Sequence, residues 1–225
     1  YPNCKIIKYN ISKKTFSEVI RVSNVEQYVS ALCYNKGYLY YQTLKNNEGL
    51  YRYNLSTGET TVISFPGETA DVEKIMQRGK YLCMIATYKG ARKLMFYDTK
   101  YGGWQTVGTN VIGKYVTPIL DNAIYYVDNG YVYKLDLSSF VSTKHGNMGY
   151  ISGVQGEGFA EISDPEMPGA NYVNITYSGQ YQLWNIQNRI LKVYPRVIEG
   201  ANSETRSYDF GPDGRLYVGE YMGTK

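Results

Sequence analysis

One segment of the sequence occurs in five copies, and this internal repeat restricts the possible folds more than any other feature. In the clearest copy, residues 50–64, two apolar and aromatic runs flank a short segment that contains Asn54 and Gly58. An Asn can hydrogen-bond to its own backbone and a Gly tolerates a positive φ angle, so this copy predicts two strands joined by a tight turn. We call the Asn or Asp that begins this turn the anchor. The anchors are Asn10, Asn54, Asp98, Asp136 and Asn185, and they are separated by 44, 44, 38 and 49 residues.

A second strand-like run lies upstream of most anchors and also near the end of the chain. Its copies are residues 38–41, 81–84, 123–126, 172–175 and 216–218. Weaker runs at 28–33 and 111–117 predict a further, innermost strand, and residues 72–78 are interpreted as a strand although Val72, Ile75 and Met76 have helix-like spacing. A unit of about 40 to 45 residues with three or four strands is the size of a β-propeller blade. We therefore predict an all-β fold, a β-propeller of about five blades with four antiparallel strands each, in a single domain spanning residues 1–225.

The position of the chain ends within the repeat predicts how the ring closes. The sequence begins on a third strand and stops just after a second strand. Pairing of the N- and C-terminal strands in one blade would remove open strand edges, which invite aggregation. The alternative is that the chain is a fragment of a larger propeller, because it does not begin with Met.

Composition narrows the functional classes. Lys and Arg total 24 and Asp and Glu total 20, so the net charge of +4 does not require a nucleic-acid partner. The densest basic stretch, residues 5–21, is interpreted as a solvated strand face. No apolar run approaches the ~18 residues of a membrane span, so no transmembrane segment is predicted.

The cysteines and asparagines carry little functional information. Cys4, Cys33, Cys83 and the single His145 lack metal-ligand spacing, so we predict no metal site and name no cofactor. Cys83 is expected to be a buried free thiol, and a Cys4–Cys33 disulfide is possible. N-glycosylation sequons occur at Asn10, Asn54 and Asn174, and the first two coincide with anchors.

The repeat resembles those of known propeller families. Residues 37–41, Gly-Tyr-Leu-Tyr-Tyr, followed by 49–54, Gly-Leu-Tyr-Arg-Tyr-Asn, resemble blades of TolB-like and low-density-lipoprotein-receptor-type propellers. Residues 211–218, Gly-Pro-Asp-Gly-Arg-Leu-Tyr-Val, are similar to strand starts in NHL and gluconolactonase-type propellers. The receptor-type Tyr-Trp-Thr-Asp signature and a gluconolactonase metal-ligand set are absent from the sequence. The resemblance therefore implies a fold and carries over no site residues.

Residues that break the repeat are the candidates for function, because propellers bind ligands on loops at the channel mouth. Residues 146–171 are rich in Gly and Pro, and we interpret them as a loop over that mouth. His145 and the nearby carboxylates Glu157 and Glu161 are candidate ligand-binding residues, and Asp121 is a further candidate near an inner strand. The alternative is a solvated surface insertion. His145→Ala is expected to leave folding unaffected under either hypothesis.

Two functions follow from these candidates. The first is a non-catalytic binding module that recognises a glycan or a protein partner, located extracellularly or at the cell surface. The second is a carbohydrate-active hydrolase or lyase with its site at the channel mouth. The sequence leaves open whether the protein is an enzyme.

Overall fold

The described residues contain only β-strands, turns and irregular segments. The computed structural model describes residues 4–23, 28–43, 49–146, 158–163, 165–176, 179–196, 204–210 and 213–221. Within these ranges there are 20 strands and no helix. No helix that could cross a membrane is therefore found in this part of the chain.

Three sheets form from the first ten strands. One sheet has two strands, β1 (Cys4–Asn10) and β2 (Thr15–Ser23). The next has four, β3 (Val29–Asn35), β4 (Tyr38–Thr43), β5 (Gly49–Asn54) and β6 (Thr60–Ser64). The third also has four, β7 (Ala70–Arg78), β8 (Tyr81–Tyr88), β9 (Ala91–Asp98) and β10 (Trp104–Val107).

The remaining ten strands form three more sheets. The fourth sheet contains β11 (Val111–Val116), β12 (Ala123–Asp128), β13 (Tyr131–Asp136) and β14 (Ser142–Lys144). The fifth contains β15 (Ala160–Ile162), β16 (Asn171–Ile175), β17 (Gln180–Asn185) and β18 (Ile190–Arg196). The sixth has two strands, β19 (Glu204–Phe210) and β20 (Leu216–Tyr221).

The sheets confirm the predicted propeller blade. Each four-stranded sheet is built from strands in chain order, and the pairings described within it are antiparallel. The weak runs at 28–33 and 111–117 correspond to innermost strands β3 and β11, and residues 72–78 lie in strand β7. The fold is an all-β propeller with blades of four antiparallel strands. By their place in the repeat, β1 and β2 are third and fourth strands, whereas β19 and β20 are first and second strands. Pairing between these two hairpins stays a prediction.

The anchors fold as the sequence predicts. Strands β1, β5, β9, β13 and β17 each end at their anchor. Each anchor Oδ1 accepts backbone N–H groups from the turn, for example from Ser56 to Asn54 at 2.8 Å and from Lys100 to Asp98 at 2.8 Å. The residue four places after each anchor has a positive φ: Lys14 (51°), Gly58 (75°), Gly102 (74°), Phe140 (54°) and Arg189 (56°). One turn geometry thus serves Gly and non-Gly residues alike.

Replacing a non-Gly residue at this left-handed position with Gly is expected to stabilise the protein. Lys14→Gly relieves the steric cost of a positive φ, for a net gain of up to about 1 kcal/mol in the free energy of unfolding. The matched control is Lys13→Gly, because the φ of Lys13 is not positive and the added backbone entropy should lower stability. Denaturant titration of both variants measures the difference, and equal changes would contradict the shared turn geometry.

The chain divides into two compact units, Tyr1–Thr106 and Val107–Lys225. In the first unit, sheet β3–β6 packs against β1–β2 through Ile6, Leu39 and Tyr41. On its other face it packs against β7–β10 in a cluster that includes Leu50 and Leu82. This packing buries both faces of the sheet.

A buried glutamine joins two sheets of the first unit. Gln42 on β4 is 1% exposed, and its Nε2 donates to the carbonyl oxygen of Ala70 at 2.7 Å. Its Oε1 accepts the backbone N–H of Val72 at 2.6 Å. Both partners lie on β7, so the side chain satisfies backbone groups across the interface between sheets.

In the second unit, sheet β15–β18 lies between its two neighbours. Trp184 belongs to the cluster with Tyr115 and Val127 of sheet β11–β14. On the opposite face, a cluster with Val173 contacts Tyr208 of β19–β20. Trp184 is therefore a packing residue between two sheets.

The three cysteines lie in the first unit and form no disulfide. Cys83 is 0% exposed, as expected, and burial raises its pKa to about 12. The possible Cys4–Cys33 disulfide therefore does not form.

Candidate functional site

His145, the first candidate, lies in a contact between two sheets. Its backbone N–H donates to the carbonyl oxygen of Val132 at 2.8 Å. Its Nε2 lies 2.8 Å from the carbonyl oxygen of Ile186, and its ring meets Tyr125 edge-on at 4.7 Å between centroids. The side chain is partly buried. His145 therefore links sheet β11–β14 to the residue that follows β17.

These contacts change the expected effect of His145→Ala. The carbonyl oxygen of Ile186 loses a partner and Tyr125 loses a ring contact, so we expect a loss of about 1–2 kcal/mol in the free energy of unfolding. Glu161→Gln is the control, because Glu161 is exposed and its replacement should stay within about 0.5 kcal/mol. Denaturant titration distinguishes the two variants. An unchanged unfolding midpoint for His145→Ala would show that the contacts of His145 do not contribute to stability.

Asp121, the second candidate, occupies a turn. Asp121 and Asn122 have φ angles of 47° and 57°, and Leu120 and Ala123 exchange backbone hydrogen bonds of 2.8 and 2.9 Å around them. Two successive positive φ angles are typical of a type I′ hairpin turn, which favours Asp and Asn. Burial, and secondarily the charge of Asp121, raises the pKa of Tyr125. Turn geometry accounts for the residue at this position.

Of the two remaining candidates, the structure describes only Glu161. Glu161 is exposed on β15 and pairs with Tyr172, and Glu157 lies outside the described residues. Within the described ranges, no group of three or more His, Cys, Asp or Glu side chains could hold a metal ion.

The interpretation of residues 146–171 as one loop over a channel mouth is wrong. Strand β15 (Ala160–Ile162) lies inside this segment and pairs with β16. The connections before and after a strand lie at opposite ends of its sheet. Of the described carboxylates in this segment, Glu161 lies on β15 itself and Glu166 lies in the connection that follows it.

A basic and aromatic surface in the first unit was missed by the sequence reasoning. It consists of Lys36, Lys80, Lys100 and Tyr101, and we call it the lysine–tyrosine surface. The three lysines are exposed and Tyr101 is 73% exposed. All four lie in turns at the anchor end of their sheets, where the hairpins β3–β4, β7–β8 and β9–β10 turn. The sheets hold these short turns in place.

Hydrogen bonds fix the two turns of sheet β7–β10 against each other. Thr99 donates its N–H and its Oγ1 to the carbonyl oxygen of Lys80 at 3.0 and 2.8 Å. Lys80 Nζ lies 2.7 Å from Asp98 Oδ2, 4.8 Å from the Tyr81 ring centroid and 5.4 Å from that of Tyr101. Lys100 Nζ is 4.7 Å from the same Tyr101 ring. Two ammonium groups thus lie close to one exposed aromatic ring.

The ionisation of this group follows from its contacts. The hydrogen bond that Lys80 donates to Asp98, followed by its hydrogen bond to Tyr81, raises the pKa of Lys80. Burial favours the neutral form of Asp98, but hydrogen bonds from Lys80 and from two backbone N–H groups outweigh it and lower the pKa of Asp98. Asp98 therefore neutralises Lys80, and Lys36 and Lys100 supply the excess positive charge.

Lys36 and Lys80 lie at neighbouring ends of the two sheets. Burial is the largest influence on Cys33, near the end of β3, and raises its pKa. A hydrogen bond with the backbone of Gln77 and the charge of Arg78, both on β7, act in the opposite direction. The end of β3 therefore lies beside the end of β7. Gln42 joins the opposite end of β4 to the start of β7. The two sheets are thus aligned with their anchor ends on the same side.

Positive charge predominates at the anchor ends of the first unit. The turns there carry Lys13, Lys14, Lys36, Lys80 and Lys100, with Glu59 and Asp98 as the carboxylates. In the second unit, the described turns at the equivalent ends carry Asp121, Asp136, Glu166 and Asp213, with Arg189 and Arg215 as the cations. The same turns tolerate either sign, so the fold itself does not require the lysines.

One sequence signal could have revealed this surface. Lys36 and Lys80 are each 18 residues before an anchor, at Asn54 and Asp98. Equal offsets in neighbouring blades place side chains at equivalent positions. Lys36 and Lys80 occupy equivalent positions within the repeat, whereas the candidates chosen from the sequence were residues that interrupt it.

Comparisons with known proteins support the fold. No family model matches the chain. No curated protein matches it either. Among solved structures, the extracellular domain of BT4673 from B. thetaiotaomicron is 14% identical with a TM-score of 0.63, and the match covers 92% of this chain and 27% of that one. A chain of the nidogen/laminin complex is 12% identical with a TM-score of 0.59, and the match covers 97% of this chain and 83% of that one.

These likenesses concern the fold alone, because the identities are low. The chain spans about a quarter of the length of the BT4673 extracellular domain, 27%. Together with the four-stranded antiparallel sheets, the likenesses identify a β-propeller.

Proposed function

We propose that the chain is a non-catalytic β-propeller module that binds a protein partner outside the cytoplasm through the lysine–tyrosine surface. The observation that carries the proposal is the exposed Tyr101 ring close to both Lys80 and Lys100, on turns fixed by hydrogen bonds. Tyr is enriched at protein interfaces because it combines a large apolar ring with a polar tip. A rigid surface also loses little conformational entropy on binding.

The contacts of the predicted site residues favour binding over catalysis. His145 holds a backbone carbonyl between two sheets, and Asp121 forms a hairpin turn. Both residues have structural roles that explain their positions without a reaction. Two structural neighbours give further support: one solved structure is an extracellular domain and the other is a complex of nidogen with laminin. The location and the class of partner are proposed for this chain on that basis.

Site-specific crosslinking tests the proposal. A photoreactive benzophenone amino acid replaces Tyr101 in one variant and Lys89 in a control, because Lys89 is exposed at the opposite end of sheet β7–β10. Surface and secreted fractions of the source organism are irradiated with each variant, and the captured protein is identified by mass spectrometry. We expect a product specific to position 101. The purified partner should then bind the unmodified chain and bind Tyr101→Ala at least several-fold more weakly.

Three outcomes would contradict the proposal. Equal capture at both positions would show a non-specific surface. Glycan-array binding that Tyr101→Ala abolishes would move the ligand to the glycan class. Turnover of a glycan by the intact chain, lost in His145→Ala although the variant is folded, would establish the enzyme.

A further inference from the structure

We propose that the lysine–tyrosine surface recognises an acidic, extended segment of its protein partner. This inference rests on the proposed function and specifies the chemistry of the partner. Lys36 and Lys100 carry charges that the Lys80–Asp98 pair leaves in excess. Carboxylates of the partner would complement them, and attraction of this kind both steers association and excludes basic partners.

Tyr101 sets a second requirement for the partner. Its ring is 73% exposed and lies against Lys80 and Lys100 at 5.4 and 4.7 Å. The ring keeps both ammonium groups at its faces, which reduces the entropy lost when they bind carboxylates. The partner segment must therefore present several carboxylates close to one exposed aromatic ring, as an extended peptide with acidic residues at alternate positions can do.

The same sheet contains a matched control. At the opposite end of sheet β7–β10, Lys89 and Lys93 lie 5.4 and 5.9 Å from the ring of Tyr88. This second group also consists of two lysines and one tyrosine, but Tyr88 is 4% exposed and its OH donates to the carbonyl oxygen of Pro66 at 2.5 Å. The ring is therefore occupied within the fold. The same change of charge can therefore be made at either end, and a comparison of the two variants distinguishes binding at a local site from attraction by net charge.

Fluorescence anisotropy with a labelled peptide tests the inference. The probe is a twelve-residue peptide of alternating Glu and Ser, compared with Gln-Ser and Lys-Ser versions of about the same length. We expect the acidic peptide to bind best and its affinity to fall as salt is raised. The double variant Lys36→Glu with Lys100→Glu should weaken binding at least about tenfold, whereas Lys89→Glu with Lys93→Glu should weaken it less than about twofold. Tyr101→Ala should also weaken binding several-fold.

The outcomes separate this inference from the proposed function. Equal weakening in both double variants would show that net charge alone binds the peptide and would overturn the inference. A sulfated polysaccharide that competes better than the acidic peptide would replace the protein segment by a glycan. If crosslinking at position 101 captures a partner that lacks an acidic segment, the proposed function stands and this inference fails. If no partner is captured at position 101 and the acidic peptide binds no better than the neutral one, both fail.

Discussion

Gln42→Ala is expected to lower the free energy of unfolding by about 2–4 kcal/mol. The side chain is 1% exposed, donates to the carbonyl oxygen of Ala70 and accepts the backbone N–H of Val72. Its truncation removes both of these hydrogen bonds inside the first unit, and a buried backbone group that loses its partner costs about 1–3 kcal/mol.

Gln77→Ala is the control for this variant, because Gln77 is exposed near the other end of β7 and its replacement should stay within about 0.5 kcal/mol. Denaturant titration compares the two variants. Equal unfolding midpoints would contradict the role of Gln42 between the two sheets.

Local chemistry explains why much of the fold was predictable. The turn at Asn54 needs an Asn or Asp side chain and a residue that accepts a positive φ. Asn54 and Gly58 meet both requirements within five consecutive residues. The second strands begin just after equally local turns. Repetition then converts five weak local signals into one fold prediction.

Contacts between distant residues explain what the sequence did not reveal. Strand β15 has only three residues, and it forms because it pairs with β16 rather than because of its own propensity. The partner of His145, Ile186, is 41 residues away. Sequons likewise depend on the fold, since Asn174 is 0% exposed and the folded chain does not present it for glycosylation. Only the packing of the two sheets places the β3–β4 turn with Lys36 beside the β7–β8 turn with Lys80.

The buried interior of sheet β15–β18 contains polar side chains that are hydrogen-bonded to one another and to aromatic side chains. Gln182 Oε1 accepts from Asn174 Nδ2 at 2.9 Å and from Trp184 Nε1 at 3.2 Å. Tyr208 of β19 donates its OH to Asn174 Oδ1 at 2.8 Å. Burial raises the pKa of Tyr115 to about 12, against a hydrogen bond from Asn174 that lowers it. Asn174 therefore connects side chains from three sheets, and every polar atom in these contacts has a partner.

Trp184→Ala is expected to remove about 3–5 kcal/mol from the free energy of unfolding and to lower Tm by roughly 10 °C. Trp184 is 0% exposed, and its ring contacts Tyr115 at 5.7 Å and Phe159 at 5.4 Å, so truncation leaves a cavity between two sheets. Tyr194→Ala is the control, because Tyr194 is 42% exposed on the neighbouring strand and should cost about 1 kcal/mol or less. Calorimetry and denaturant titration compare the two variants. A Trp184→Ala protein as stable as the control would mean that the sheets β11–β14 and β15–β18 do not pack through this residue.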